Sequence, residues 1–179
     1  AGQKGANFDS QQFFREVMAS GKPAFSQPYI NPAWMQPAIV VAVPILSDAG
    51  ATIGVLAGSM AIAGNDVFHE ASNAMSNAPL GFKIISPRDR MFITATDPSR
   101  ILQPVPQPGA NRMLDRYLQG FEGSGIAVNS RGVEELTSAK RVPGTGWLVC
   151  TVTETLPVPH GEGGFVVMHA VITCVSKIQ

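Results

Sequence analysis

Apolar residues are densest between Ala38 and Ile62, in two runs, residues 38–46 and 53–62, parted by the polar break Ser47-Asp48-Ala49-Gly50. Val, Ile and Leu dominate, and each run has the length of one strand, well short of a membrane-spanning helix. Gly50 can supply the positive φ of a tight turn. The pattern predicts an antiparallel hairpin. Because no clean polar alternation survives, both of its faces are expected to be largely covered. Gly54 and Gly58 mark a bulge or a place where something packs against backbone.

Upstream, Asp9 is placed as a helix N-cap, with Gln12 completing a capping-box pattern. The helix is predicted to run to Ser20, to bury Phe13, Phe14, Val17 and Met18, and to stop at Gly21. Pro23, Pro28, Pro32 and Pro37 then hold an extended loop carrying Phe25, Tyr29 and Trp34. These aromatics either seal the edge of the sheet or line a cleft above it. Downstream, Asn65 or Asp66 caps a second helix over residues 67–76, ended by Asn77-Ala78-Pro79.

A second hairpin is expected from residues 81–85 and 91–95 around the turn Ser86-Pro87-Arg88-Asp89-Arg90. Residues 103–109, with three prolines, must be extended. Asn111 caps a third helix that places Met113, Leu114, Tyr117 and Leu118 on one face and closes at Gly120. Strands follow at residues 125–128, 133–142 and 147–154. The turn Pro143-Gly144-Thr145-Gly146 aims Trp147 into the core. The element order has no βαβ rhythm, so the sheets should be antiparallel and the fold α+β. Two sheet units are expected, residues 38–62 and 82–154, joined by the helix at 67–76.

Composition narrows the function classes. In 179 residues the formal net charge is zero and only 15% are charged, so there is no basic footprint for nucleic acid. Fourteen prolines and eighteen glycines favour many turns over long helices. Cys150 and Cys174 are the only cysteines, without CxxC spacing; they read as buried thiols or as a disulfide between neighbouring strands. His69, His160 and His169 are far apart and lack metal spacing, so no metal or other cofactor is expected. Ser59, in Ala57-Gly58-Ser59-Met60-Ala61, lacks the second glycine of a nucleophile elbow. Asp89 and Asp97 border turns and read as turn formers. No nucleophile has a base beside it, and no enzyme is expected. The chain opens on Ala1 without a signal-peptide pattern, which reads as a boundary left by proteolysis or cloning. The apolar residues 165–175 are too few to span a bilayer; they read as a final strand or as the first turns of a membrane helix.

The stretch FFREVMASGKPAFSQPYINPAWMQPAIVVAVPILSDAGATIGVLAGSMAI resembles the Cache family of extracytoplasmic, PAS-like sensor domains. The likeness lies in an aromatic-ended helix, a proline–tyrosine loop, and paired strands around a proline and a glycine-rich end. A second part, LGFKIISPRDRMFITATDPSRILQPVP through LDRYLQGFEGSG to SAKRVPGTGWLVCTVTETLPV, is similar to the membrane-proximal half of double Cache sensors. The resemblance spans roughly Asp9 to Val158. It implies a partial distal module at 1–64, a connecting helix at 65–80, a membrane-proximal module at 81–158, and a tail or start of a membrane segment at 159–179. A double Cache protein opens with a long helix and the first strands of its distal module, and neither precedes Asp9. The chain is then a fragment, or a neighbouring chain or residues 164–175 complete that sheet.

Family members that bind amino acids carry Arg-x-Trp-Tyr on the helix, Tyr-x-Asp in the loop, and an Asp near the end of the last strand. On this chain those places fall at Gln11-Gln12-Phe13-Phe14, at Tyr29-Ile30-Asn31 and at Ser59. The aromatics persist and every charge is gone. The resemblance thus implies a cleft lined by Phe14, Tyr29, Trp34 and Val41, with Gln11, Asn31 and Ser59 as polar anchors, suited to a small neutral or weakly polar ligand. It further implies a ligand-sensing domain on the periplasmic or outer face of a bacterial membrane. That domain would be attached to the membrane in the full-length protein, in front of an output such as a diguanylate cyclase, and open to homodimerisation. The alternative is a structural module that dimerises receptors and binds nothing small.

Overall fold

The computed structural model describes residues 8–62, 81–129 and 132–154. The chain forms two compact units divided between Ala63 and Gly64. The helix expected at 67–76, the three histidines, Cys174 and residues 165–175 lie outside the described residues.

In the first unit, helix α1 (Gln12–Ser20) precedes the short strands β1 (Ala24–Phe25) and β2 (Tyr29–Asn31) and the long hairpin β3 (Gln36–Leu46) and β4 (Thr52–Ala61). All pairings are antiparallel. β1 and β2 pair with successive parts of β3, at Ala24↔Ala42 and Tyr29↔Ala38. β4 pairs with β3 over those same residues, so β4 occupies the opposite edge. The turn between β3 and β4 closes with the Gly50 amide donating to the Ser47 carbonyl at 2.8 Å, and Gly50 takes φ +78°, as the sequence predicted.

The helix begins two residues later than a cap at Asp9 would require. Gln11 is the N-cap, and its side chain makes no capping hydrogen bond. Phe13 and Val17 are buried, Phe14 is half-buried, and Met18 points outward. Together Phe13, Val17, Ala24 and Ala42 form the core, with Phe14, Val40 and Val55 packed around it. Alternation along a strand puts Ala24, Ala38, Val40, Ala42, Ala57 and Ala61 on this helix-facing side. Small residues there let α1 sit close to the sheet.

The expectation of two covered faces fails at the outer end of the hairpin. Ile53 and Leu56 are 66% and 65% exposed, and Ile45 and Leu46 are also exposed. Uniform apolarity is the signature of a strand covered twice, but it records a demand for cover rather than its presence within the unit. The expected bulge is real. It falls between Ile45 and Leu46, opposite Gly54 and Thr52, and leaves Ile53 as the extra residue. Gly58 has open space around it.

The second unit is a five-stranded antiparallel sheet in the order β6-β5-β9-β8-β7. Its strands are β5 (Gly81–Ser86), β6 (Met91–Ala95), β7 (Gly123–Val128), β8 (Glu134–Arg141) and β9 (Leu148–Glu154), and α2 (Arg112–Leu118) lies between β6 and β7 in sequence. Asn111 caps α2 as expected, its side-chain oxygen accepting from the Leu114 amide at 2.9 Å. Met113, Leu114 and Tyr117 pack with Ile85, Phe92, Val105, Ala127, Ala139, Leu148 and Cys150 into one core. Each large side chain buried there is worth roughly 1.5–3 kcal/mol of transfer free energy. The Tyr117 hydroxyl reaches the Thr137 carbonyl at 3.0 Å and the Thr137 hydroxyl at 2.8 Å, tying α2 to β8. Gly125 leaves room for Met113, since a Cβ there would lie 2.6 Å from Met113 Cε and the methionine would have to shift.

Trp147 is half-buried rather than a core residue. The 143–146 turn links β8 to β9 as predicted, but Trp147 precedes Leu148, and it is Leu148 that enters the core. Cys150 is buried and carries a free thiol, and the Cys174 of the disulfide reading lies outside the described residues.

Candidate functional site

The helix-facing side of the first sheet carries the residues that chemistry can use. Cross-strand partners share a face, so Tyr29 and Asn31 of β2 stand on the same side as Ala38 and Gln36 of β3 and as Ser59 and Ala61 of β4. Tyr29 sits beside the fully buried Ala38, whose single methyl leaves room for the phenol to cross β3. Its hydroxyl reaches Ser59 Oγ on the far strand at 3.1 Å. From two residues along β2, Asn31 Nδ2 donates to the same hydroxyl at 3.2 Å. Three residues from two strands that do not touch therefore form one hydrogen-bonded chain.

Asn31 is fixed from its other end. Its Oδ1 accepts from the Ala33 amide at 2.9 Å, an Asx turn that starts the tight reversal into β3. The reversal is completed by the Met35 amide donating to the Asn31 carbonyl at 2.7 Å, with Met35 at φ +53°. This is an uncommon backbone state for a residue with a side chain. Asn31 is only 8% exposed, whereas Trp34 and Met35 at the tip are 47% and 75% exposed. The sequence signal for the turn was the pair Asn31-Pro32. The signal missed was the alternating alanine pattern, which clears the floor under Tyr29.

Of the seven residues expected at the site, Tyr29, Asn31 and Ser59 are thus brought into direct contact. Phe14 lies against the α1 core next to this face. Gln11 is exposed at the start of α1, where its carbonyl accepts from the Arg15 amide at 3.2 Å. Trp34 stands on the hairpin tip. Val41 is misplaced: it pairs with Phe25 and Gly58, one step out of phase with Val40↔Ser59, and so projects from the opposite face. Within the strand period of two, an odd offset always changes the face.

The second unit offers a different environment. Lys83 lies beside Cys150 in the β5–β9 pairing. Burial pulls the Lys83 ammonium below its ordinary range, with Cys150 and Glu135 opposing that shift. Burial also pushes the Cys150 thiol up to about 12, so it is no nucleophile at neutral pH. Among the described residues no three His, Cys, Asp or Glu side chains gather as a metal site would require, and no helix is long and apolar enough to cross a membrane.

No protein-family model matches the chain, and no curated protein matches it in sequence. Solved structures do match. The chain is similar to the ligand-binding domain of the Pseudomonas aeruginosa amino acid chemoreceptor PctC in complex with GABA, with TM-score 0.60 and 16% identity, over 86% of this chain and 65% of that one. It is similar to the periplasmic sensory domain of the Campylobacter jejuni chemoreceptor Tlp1, with TM-score 0.60 and 14% identity, over 82% of this chain and 55% of that one. An extracellular ligand-binding receptor from Desulfohalobium retbaense matches with TM-score 0.57 and 17% identity, over 79% of this chain and 24% of that one. The chain spans less than two thirds of the length of each of these structures. The likeness is one of fold: the two antiparallel sheets with their helices are the α+β, PAS-like architecture of Cache-type sensor domains.

Proposed function

We propose that this chain is a ligand-sensing region from the extracytoplasmic side of a bacterial membrane receptor, a binding module and not a catalyst. The observation that carries the reading is the Asn31–Tyr29–Ser59 chain. It sits on the helix-facing side of a sheet whose fold is shared with receptor domains that bind small molecules. In this reading residues 1–64 are the distal module and 65–80 a connector. Residues 81–158 are the membrane-proximal module, and 159–179 lead toward the membrane. Tyr29, Asn31 and Ser59 supply the polar contacts, with Phe14 beneath them and Gln11 and Trp34 at the rim. The ligand is small and neutral or weakly polar, because no charged side chain stands among these residues. The output is of the diguanylate cyclase or a related signalling type.

A thermal-shift screen of the whole chain against small metabolites tests the reading. A ligand that binds only the folded state raises stability by mass action, by about 2.7 kcal/mol at a hundred times its Kd. A saturating shift abolished by Ser59→Ala is expected; a screen in which no compound shifts the transition would refute the reading. The exposed, charge-free β4 edge favours a second reading, a dimerisation module without a small ligand. A concentration-dependent dimer together with a blank screen would establish it.

A further inference from the structure

Counting protons in the Asn31–Tyr29–Ser59 chain gives its chemical polarity. The Asn31 amide has two N–H groups and each hydroxyl has one O–H, so the three side chains hold four protons between them. Two are spent: Asn31 Nδ2 donates to Tyr29, and one hydroxyl donates to the other across the 3.1 Å contact. Whichever hydroxyl is the donor, one O–H and one N–H remain. One lone pair of the strongest acceptor is meanwhile taken, because Asn31 Oδ1 accepts from the Ala33 amide at 2.9 Å. That bond also fixes the amide so that its NH2 end, not its oxygen, faces Tyr29. The acceptors left are all neutral, the second lone pair of Asn31 Oδ1 and those of the two hydroxyls, and the Tyr29 oxygen already accepts one bond. Donors in such a chain are polarised by the bond behind them, which strengthens what they give.

We infer that the site takes uncharged ligands that present a carbonyl oxygen to its two spare protons and carry neither an ammonium nor a carboxylate group. This rests on the reading of this face as a ligand site and adds the class of ligand. An amide oxygen can accept both spare protons, whereas a carboxylate would lose its water with no cation to offset the cost. An ammonium would have to lose its water for neutral lone pairs, with no carboxylate to offset the cost. Free α-amino acids are excluded for the same reason.

The experiment uses calorimetry on the full chain with four probes that share one benzyl body: phenylacetamide, phenylacetate, phenethylamine and phenylalanine. Phenylacetamide is expected to bind, with the charged probes phenylacetate, phenethylamine and phenylalanine at least about tenfold weaker, the value of one lost hydrogen bond. Tyr29→Phe, checked for folding by circular dichroism, should weaken phenylacetamide about tenfold and reduce its preference over the charged probes. Ser59→Ala, at an exposed position, repeats that test without touching the aromatic. Charged probes binding as tightly as phenylacetamide would overturn the inference and leave the site standing. No binding by any of the four would overturn the site itself, and the inference with it.

Discussion

Tyr117→Phe isolates the bond that fastens α2 to the second sheet. Tyr117 is 2% exposed, and its hydroxyl contacts both the carbonyl and the hydroxyl of Thr137. The substitution keeps the ring, including its stacking on Phe121 at 5.9 Å, and deletes one oxygen. The Thr137 hydroxyl keeps a partner, since it also donates to the Gly125 carbonyl at 3.3 Å. The Thr137 carbonyl loses its bond to Tyr117. One net hydrogen bond contributes about 0.5–1.5 kcal/mol, and a partly unsatisfied buried acceptor adds to the loss. The expected cost is therefore about 1.5 kcal/mol. With a urea dependence of about 1–3 kcal/mol per molar, the midpoint should fall by roughly 0.5–1.5 M with unchanged slope. Intrinsic fluorescence in a Trp34→Phe background reports this through Trp147, which belongs to the second unit. A double-mutant cycle with Thr137→Val should return a coupling of about 0.5 kcal/mol or more. A cost below about 0.3 kcal/mol, or no coupling, would show that the bond does not hold the helix.

Gly125→Ala should destabilise the second unit by about 1–3 kcal/mol through overpacking against Met113, and adding Met113→Ala should cost less than the two changes summed, as denaturation of all three variants would show. Lys83→Met should be neutral or stabilising at pH 7, because it removes a charge that burial disfavours. Folded Lys83 has its pKa lowered, so the penalty in the wild-type protein is full at neutral pH and fades as pH rises toward the ordinary lysine value of about 10.4; the advantage of the variant must shrink over the same range. Cys150, with its folded pKa raised to about 12, contributes stability that is complete below the ordinary thiol value of about 8.5 and is lost as pH rises from there toward 12; its thiol should resist alkylation in the native protein at pH 8 and react on unfolding. Leu56→Lys, at a 65% exposed edge position, should change stability by less than about 0.5 kcal/mol while reducing concentration-dependent association seen by light scattering; unchanged association would remove the β4 edge as its cause.

The hairpins, both sheet systems and the Asn111 cap were legible because each rests on local physics: strand-length apolar runs, turn residues between them, and a short polar side chain before a helix. The start of α1 was misread because a capping-box pattern at Asp9 competes with chain context, and the backbone turns helical only after Gln11. Trp147 is partly buried, one residue of strand phase away from the core. Its neighbour Leu148, fully buried, took the inward position that the period of two allows only one of them. The same parity decides which residues the proposed site can use. Tyr29, Asn31 and Ser59 fall on one face through the register of three strands, while Val41, apolar and close in sequence, falls on the other. Register across β3 is not a property of any one segment, so residue identity suggested the partners without being able to rank Val41 against Val40.

The proposed site, because it spans β3, also determines what its occupation would change. β2 is held to β3 by only three residues, Tyr29 to Asn31, and it runs directly into a tip with a positive-φ Met35 and an exposed Trp34. β4 by contrast pairs along nearly the whole of β3. Short strands beside turns open at low free energy, while long central pairings open only near the global cost. The Tyr29–Ser59 bond is a side-chain link that fastens this weak strand to the strong hairpin across the sheet. A ligand engaging the spare protons of both ends would bind only when β2 is docked, and so would shift the population toward the docked state by its own differential affinity. If the docked state is already dominant, the shift is small and the ligand stabilises without reshaping. If β2 samples an open state in even one molecule in ten, occupation at a hundred times Kd is more than enough to close it. Hydrogen exchange at the Tyr29 to Asn31 amides, with and without phenylacetamide, therefore reads the sensing step itself. Slowing confined to β2 and its tip is the expected result, and equal slowing along β3 and β4 would mean that the ligand stabilises the whole unit and that β2 is no switch.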